Sequence, residues 1–475
     1  MRATTRALNN LAPIYQEVGK YDEAIKTFEE SRELKRRCDD GNLVEMATTL
    51  INLGHCYRDS GNLEKSLNFM EEAVTISRSC YSSAHPLLAR AISQLSSTYD
   101  LLDRNDEAWK LAREALDIAN VSLRSSNPEL AAYMNQVGHC CLSREDPNEA
   151  IEWYEKSHQL LQQLPSSPTR DDLFSATLIN LGGCYRESGK LEKSLSSMKE
   201  GVAISRSCNS FPHSSLALAI YKLSSTYYLL DRKDEAWKLA REALDIANAS
   251  LPSSHPQLAK YMNQVGCCCL SRGDSNEAIV WYEKSHQLLQ QLPSSPMRND
   301  LFATTLDNLA IAYQIDEKYD KAIKTYEESL ELNRRCDDGN LAQMSTILIN
   351  LGSCYRESGK LEKSLTLREE AVKISRSCYS SSHPSLALAI YHLSSTYYLL
   401  DRKDEAWKLA REALDIANVS SPSSHPQLAE YMNHLGDCCR SQGNYNEAIS
   451  WYDKARQLLQ QQDQSPERDK GIATS

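Results

Sequence analysis

The chain has 475 residues, with 53 Lys and Arg against 64 Asp and Glu, so it carries a net charge of −11. That balance excludes a nucleic-acid binder, which needs a basic footprint, and a protein held on an anionic membrane surface. Seventeen Gly and fifteen Pro leave little of so long a chain for loops, and no apolar run reaches the length of a membrane span.

From the N-terminus, the first periodic pattern holds Asn9-Asn10-Leu11-Ala12, with Tyr15, Gly19, Tyr21 and Ala24 after them. Two short amphipathic helices joined by a turn explain that spacing. Pro13 falls inside the first of them and removes a helical hydrogen bond, so a kinked or frayed helix is expected there. The same frame returns as Leu53-Gly54, Tyr57, Gly61, Ser66 and Ala73. The leucine of the first helix, or its Val equivalent, recurs at Leu11, Leu53, Leu95, Val137, Leu181, Leu223, Val265, Leu309, Leu351, Leu393 and Leu435. The spacing is 42 residues, except after Val137 and Val265, where it is 44. Some copies are nearly identical. Leu223 to Asn248 is repeated letter for letter at Leu393 to Asn418, and at Leu95 to Asn120 with only Asp100 and Asn105 changed. A chain that copies itself at a fixed period is an array, and this frame is the tetratricopeptide (TPR) pattern. The expected fold is all-α, a right-handed TPR superhelix (an α-solenoid) of eleven helix–turn–helix repeats.

We call the first helix of each repeat A and the second B, and number positions so that the recurring leucine is 7. The repeats sort into four types in the order a-b-c-d, b-c-d, a-b-c-d. One solenoid is expected over 1–462, in blocks 5–174, 175–302 and 303–462, followed by a polar, disordered tail at 463–475. Types c and d join through Ser254-His255-Pro256 or its equivalents, where Pro suits the first helical turn. Type d joins the next repeat through Leu164 to Asp172 or Leu292 to Asp300, read as exposed loops. In those loops Ser167, Ser295 and, in the tail, Ser465 begin a shared Ser-Pro-x-Arg spelling that resembles sites of proline-directed kinases.

The sequence carries no motif that points to catalysis or metal binding. Gly183 to Gly189-Lys190 has five residues between the glycines where a phosphate loop needs four. Cys80 and His85 recur as Cys208 with His213 and Cys378 with His383, but no second ligand pair is near, so no metal site is expected. No nucleophile–base arrangement recurs, so neither an enzyme nor a cofactor is expected. The fifteen Cys sit mostly in helical patterns and read as small buried hydrophobes in a reducing compartment, here the cytoplasm. In Cys267-Cys268-Cys269 one thiol is expected to be exposed.

The 42-residue unit resembles the TPR region of kinesin light chains, on Asn9-Asn10-Leu11-Ala12 and on Ser424-His425-Pro426-Gln427-Leu428-Ala429 before a helix A. That resemblance implies that helix A lines a concave groove, with positions 2, 5, 9 and 12 pointing into it. It also implies that an Asn at position 6 holds the backbone of a bound peptide, here Asn10, Asn52, Asn180, Asn308 and Asn350. Arg58, Arg186 and Arg356 lie two turns along three of these helices and suit acidic groups. The three type c copies share one helix B yet differ in helix A at Ser93, Tyr221 and Tyr391 and at Asp100, Tyr228 and Tyr398. The tyrosines are therefore further groove residues. The expected function is a non-catalytic scaffold that binds a protein or peptide in this groove, within a motor or signalling complex. The alternative, implied by the resemblance, is a cargo adaptor of a microtubule motor.

Overall fold

The computed structural model describes residues 2–17, 20–37, 43–81, 83–208, 214–335, 341–420 and 426–463, and all regular structure among them is helical. The chain forms two compact units, Met1–Phe211 and Pro212–Ser475. In the first, α1 (Arg2–Glu17) pairs with α2 (Tyr21–Arg36), α3 (Leu43–Asp59) with α4 (Leu63–Cys80), and α5 (Pro86–Asp100) with α6 (Asn105–Ser122). Then α7 (Glu129–Ser143) pairs with α8 (Pro147–Gln163), and α9 (Pro168–Glu187) with α10 (Leu191–Cys208). In the second unit, α11 (Ser214–Leu229) pairs with α12 (Lys233–Ser250), α13 (Gln257–Ser271) with α14 (Ser275–Gln290), and α15 (Pro296–Ile315) with α16 (Tyr319–Arg335). There α17 (Leu341–Glu357) pairs with α18 (Leu361–Cys378), α19 (Pro384–Leu399) with α20 (Lys403–Ser420), and α21 (Pro426–Ser441) with α22 (Tyr445–Asp463). Each pair is one repeat, so the fold is a TPR α-solenoid and every odd-numbered helix is a helix A. Helix α1 continues through Pro13, so the missing donor does not end it.

One contact explains how the two helices of a repeat close on each other. Position 8 of helix A faces position 24 of helix B, and their sizes complement. Where position 24 is large, position 8 is Gly in types b and d and Ala in type a, where Ala12 and Ala310 match Phe28 and Tyr326. A Cβ on Gly54 would come within 2.8 Å of Met70, on Gly182 within 2.5 Å of Met198, and on Gly266 within 2.6 Å of Tyr282. In type c both residues are small: Ser224 faces Ala240, and its hydroxyl donates to the Ala236 carbonyl at 2.7 Å. Met70, Tyr154 and Tyr282 are fully buried, so this pair is the centre of each repeat's core. Neighbouring repeats are then tied by hydrogen bonds. The Tyr at position 11 donates to a Glu on the preceding helix B, as in Tyr57 to Glu29 (2.7 Å) and Tyr185 to Glu155 (2.6 Å).

Position 15 makes the turn between the helices, and it has positive φ in every repeat where it is described. Five copies use Gly, from Gly61 to Gly443, and five use Asp or Glu: Asp103, Glu145, Asp231, Glu317 and Asp401. An L side chain there is strained, and only Gly adopts this backbone freely. Asp231→Gly should therefore stabilise its repeat by about 0.5–1 kcal/mol. The exposed Asp231–Lys233 pair lost with it contributes little. Hydrogen exchange of the α11 and α12 amides will read the change, and a loss of stability would refute the strain argument.

The longer spacing after Val137 and Val265 lengthens a helix, not a loop. Helices α9 and α15 have 20 residues each, against 15 to 17 for the other A helices. The Leu164 to Asp172 junction, expected to be a loop, is already helix from Pro168 onward. Ser167 is its N-cap, with Oγ accepting from the Arg170 N–H, and Pro168 opens the first turn. Ser295 and Pro296 do the same for α15. Ser and Pro are favoured at those two positions because the hydroxyl satisfies an orphan donor and Pro has none to lose.

Candidate functional site

Within each unit most A helices touch the next A helix, as in α1 with α3, α13 with α15 and α17 with α19, whereas no two B helices pack to a comparable extent. The A layer is thus the tighter, inner layer of the stack. Of the sequence-derived groove residues, Asn10 and Tyr228 are exposed. Asn52, Arg58, Asn180, Arg186, Tyr221, Asn308, Asn350, Arg356, Tyr391 and Tyr398 are half-buried, and all lie on A helices. Arg58 and Arg356 pair with the next residue of their own helices, Asp59 at 3.5 Å and Glu357 at 2.6 Å, not with another repeat. Arg186 makes no ion pair among the described residues. Asn350 lies against the Tyr326 hydroxyl.

The structure brings Tyr221 and Asn308 together in one recess of about 670 Å³. Its other walls are Lys260, Asn263, Gln264, Cys267, Asp300 and Thr304, with Gln257 and Leu301, all from α11, α13 and α15. In repeat numbering these residues include position 5 of type c, positions 2, 5, 6 and 9 of type d, and positions 2 and 6 of type a. Every one of them comes from a helix A. The Lys260 ammonium sits over the Tyr221 ring at 4.6 Å, and Tyr221 meets Tyr261 edge-on at 5.7 Å. Asn263 is fixed by a 2.9 Å bond to Thr305. Leu218, Tyr228 and Ile311, at positions 2, 12 and 9, expose apolar surface on the same helices. The recess therefore offers amide donors and acceptors, one cation, one anion and apolar ground, which suits a polypeptide better than a single small ion.

A second cluster lies on α17, α18, α19 and α21. Tyr391 packs against Tyr431 at 4.9 Å and His434 at 5.2 Å, and Tyr398 meets His434 at 6.0 Å. His434 Nε2 bonds Ser394 Oγ at 2.9 Å. Burial holds the His434 imidazole down to about 4 and the His392 imidazole down to about 3, the latter helped by the charges of Arg368 and Arg356. Arg368 comes from a helix B, so the groove positions 2, 5, 9 and 12, which include Lys260 and Thr304, do not reach it. Comparing the three type b copies, Met70, Met198 and Arg368, would have found it.

The remaining residues of interest are structural. His85 and His383 cap α5 and α19 through their ring nitrogens and stack on Tyr81 and Tyr379, which accounts for the recurring Cys–His spacing. Among the described residues no group of side chains could hold a metal. Cys268 and Cys269 are fully buried, and Cys267 is half-buried where it accepts from the Tyr282 hydroxyl at 3.2 Å. Ser167 and Ser295 are engaged as caps, and Arg170 bonds the Leu161 carbonyl and Asp171 while lying over Phe174. Ser465 lies outside the described residues.

Tetratricopeptide-repeat models match residues 3–79, 45–120, 87–163, 129–207, 215–291, 301–377 and 343–418, and a further one matches 429–461. The chain belongs to the tetratricopeptide repeat family. Among curated proteins it is similar to response regulator aspartate phosphatase A of Bacillus subtilis (strain 168), with 37% identity over 75 residues. That match covers 16% of this chain and 19% of that protein. Among solved structures, the apo form of RapI aligns with a TM-score of 0.59 at 14% identity, covering 80% of this chain and 99% of that one. The apo form of the quorum sensor NprR from B. thuringiensis aligns at 0.58 and 15%, covering 78% and 98%. At those identities the likeness is one of fold. TPR-like repeats described as those of a Podosopora anserina kinesin light chain align at 0.38 with 21% identity, over 43% of this chain and 96% of that one. No described helix is long and apolar enough to cross a membrane.

Proposed function

We propose that this TPR array is a non-catalytic scaffold that holds a peptide segment of a partner protein along its A helices. The observation that supports the reading best is the recess between α11, α13 and α15, which three successive repeats build entirely from helix A side chains. A helix-lined groove with spaced amides can satisfy a peptide backbone, and an aromatic such as Tyr221 supplies rigid contact area. Asn350 repeats the Asn308 position in the second unit, and Asn10, Asn52 and Asn180 repeat it on the A helices of the first. A partner captured by the full chain and identified by mass spectrometry is the probe. Tyr221→Ala with Asn308→Ala should weaken its binding by roughly tenfold or more, with the helical circular dichroism unchanged. Unchanged affinity would remove the recess from the site. The resemblance to kinesin light chains supports a second reading, a motor-cargo adaptor. Co-purification with a motor heavy chain distinguishes it from a general scaffold.

A further inference from the structure

Arg368 is a fully buried guanidinium with no carboxylate beside it. It stands at position 24 of its helix B, where the other type b repeats carry Met70 and Met198. From there it crosses to the inner helices. Nη1 donates to the His392 carbonyl at 2.7 Å and to Thr396 Oγ1 at 2.6 Å, and Nη2 donates to Ser353 Oγ at 2.9 Å. All three acceptors are neutral. Its Nε and the His392 Nδ1 are buried without a partner. The nearest acids are committed elsewhere: Glu357 to Arg356, and Asp437 to the Tyr452 hydroxyl and Arg440. The exposed Glu430 completes the acids whose charge reaches Tyr391.

A buried charge without a counterion is costly, and such a group in a native fold calls for an account. The copies supply one. Four residues that meet here occur in neither sister copy: Arg368 where they carry Met, Ser353 where they carry His or Gly, His392 where they carry Gln or Lys, and His434 where they carry Gln. They are joined directly, Ser353 and the His392 carbonyl to Arg368, and His392 and His434 to Tyr391. Ser353 stands at position 9 on the inner face, with half-exposed Arg356 one turn beyond it and Tyr391 beside His392 on the next A helix.

We infer that the last block holds a site for an oxyanion, the phosphoryl group or carboxylate of a bound partner, over Ser353, Arg356 and Tyr391, with the buried guanidinium of Arg368 as its countercharge. This deepens the groove reading and rests on it for the partner, but the anion site can be measured without one. Burial lowers the Arg368 pKa to about 10, so it stays charged at neutral pH, and an anion above Ser353 would sit where water screens it poorly. The middle block, with Met198 and Gly183 in these places, has no such charge.

The test is calorimetric titration of the full chain at fixed ionic strength, with sodium phosphate in one arm and a tetraglutamate peptide in the other. Arg368→Met restores the residue of the sister repeats, so it keeps the fold. It should weaken whichever anion binds by roughly tenfold or more, and Arg356→Gln should weaken it less. Saturable binding of phosphate alone identifies a phosphoryl ligand, and binding of the peptide as well identifies a carboxylate. Equal binding to wild type and Arg368→Met, or none to wild type in either arm, overturns the proposal. The Tyr221→Ala and Asn308→Ala result is read separately, so loss of the recess does not count against this site.

Discussion

Lowering the pH from 7 to 4 should unfold the last block of repeats before the others. His434 is held at about 4 by burial, against which only Asp437 pulls it up. His392 is held at about 3 by burial and then by Arg368, Arg356 and His434, which face it from α18, α17 and α21. An unfolded His takes up its proton near 6.5, so between that pH and the folded value the unfolded state binds more protons. Stability therefore rises with pH across this window, and it is lost as pH falls below 6.5. Each imidazole should remove on the order of 2–3 kcal/mol by pH 4. The first block carries Gln94 and Gln136 at these places and the middle block Lys222 and Gln264. His55 is shifted in the same direction in the first block, but it bonds Gln94 at 2.7 Å and has no second imidazole beside it. In a solenoid each repeat contacts only its neighbours, so one block can open alone. Hydrogen exchange at pH 4 should show α19 and α21 opening first. His392→Gln with His434→Gln, the residues of sister copies, should abolish the difference. If the double variant opens at the same pH as wild type, the imidazoles are not the cause.

The architecture was legible because the chain copies itself. Once Leu223 to Asn248 is seen twice unchanged, the frame aligns every other repeat, and the spacing of Leu, Tyr and Ala assigns both helices. What stayed hidden has physical causes. The Ser-Pro junctions read as loops because their letters are polar, yet the same two letters are a helix start, and Ser167 and Ser295 cap helices of 20 residues. The groove was legible as positions on one helix, which gave Tyr221 and Asn308 and, at position 2, Lys260 and Thr304, but not which of them share one recess. Their meeting in one recess emerges only when three helices are placed side by side. Arg368 was hidden for another reason. A reading by helix layer assigns helix B to the outside and its position 24 to the core, so a side chain that starts there and ends among groove residues has no place in the pattern. The type b copies of helix B vary as well, with Met70, Met198 and Arg368 at position 24. At Arg368 the variation reaches the inner helices and belongs with the changes at Ser353 and His392.

The contact between positions 8 and 24 should behave as a coupled unit when both residues are exchanged. Tyr282 is fully buried, and a Cβ at Gly266 would lie 2.6 Å from its ring. Gly266→Ser alone should cost about 1–3 kcal/mol, because the ring is enclosed and cannot retreat. Tyr282→Ala alone should cost about 3–5 kcal/mol, the range for emptying a large aromatic site. Together the two substitutions reproduce the type c pairing of Ser224 with Ala240. In that pairing the serine hydroxyl donates to a helix B carbonyl twelve residues on, Ala236 in type c and Ala278 here. The new side chain then has both space and an acceptor, so it fills part of the void that Tyr282 leaves. The double variant should therefore be more stable than the sum of the single losses by about 1–2 kcal/mol. Because a repeat array does not unfold in one step, the reading should come from exchange of the α13 and α14 amides rather than from a single melting curve. Strict additivity at that site would show that the two residues share a core without fitting one another, and the size rule drawn from the eleven repeats would fail.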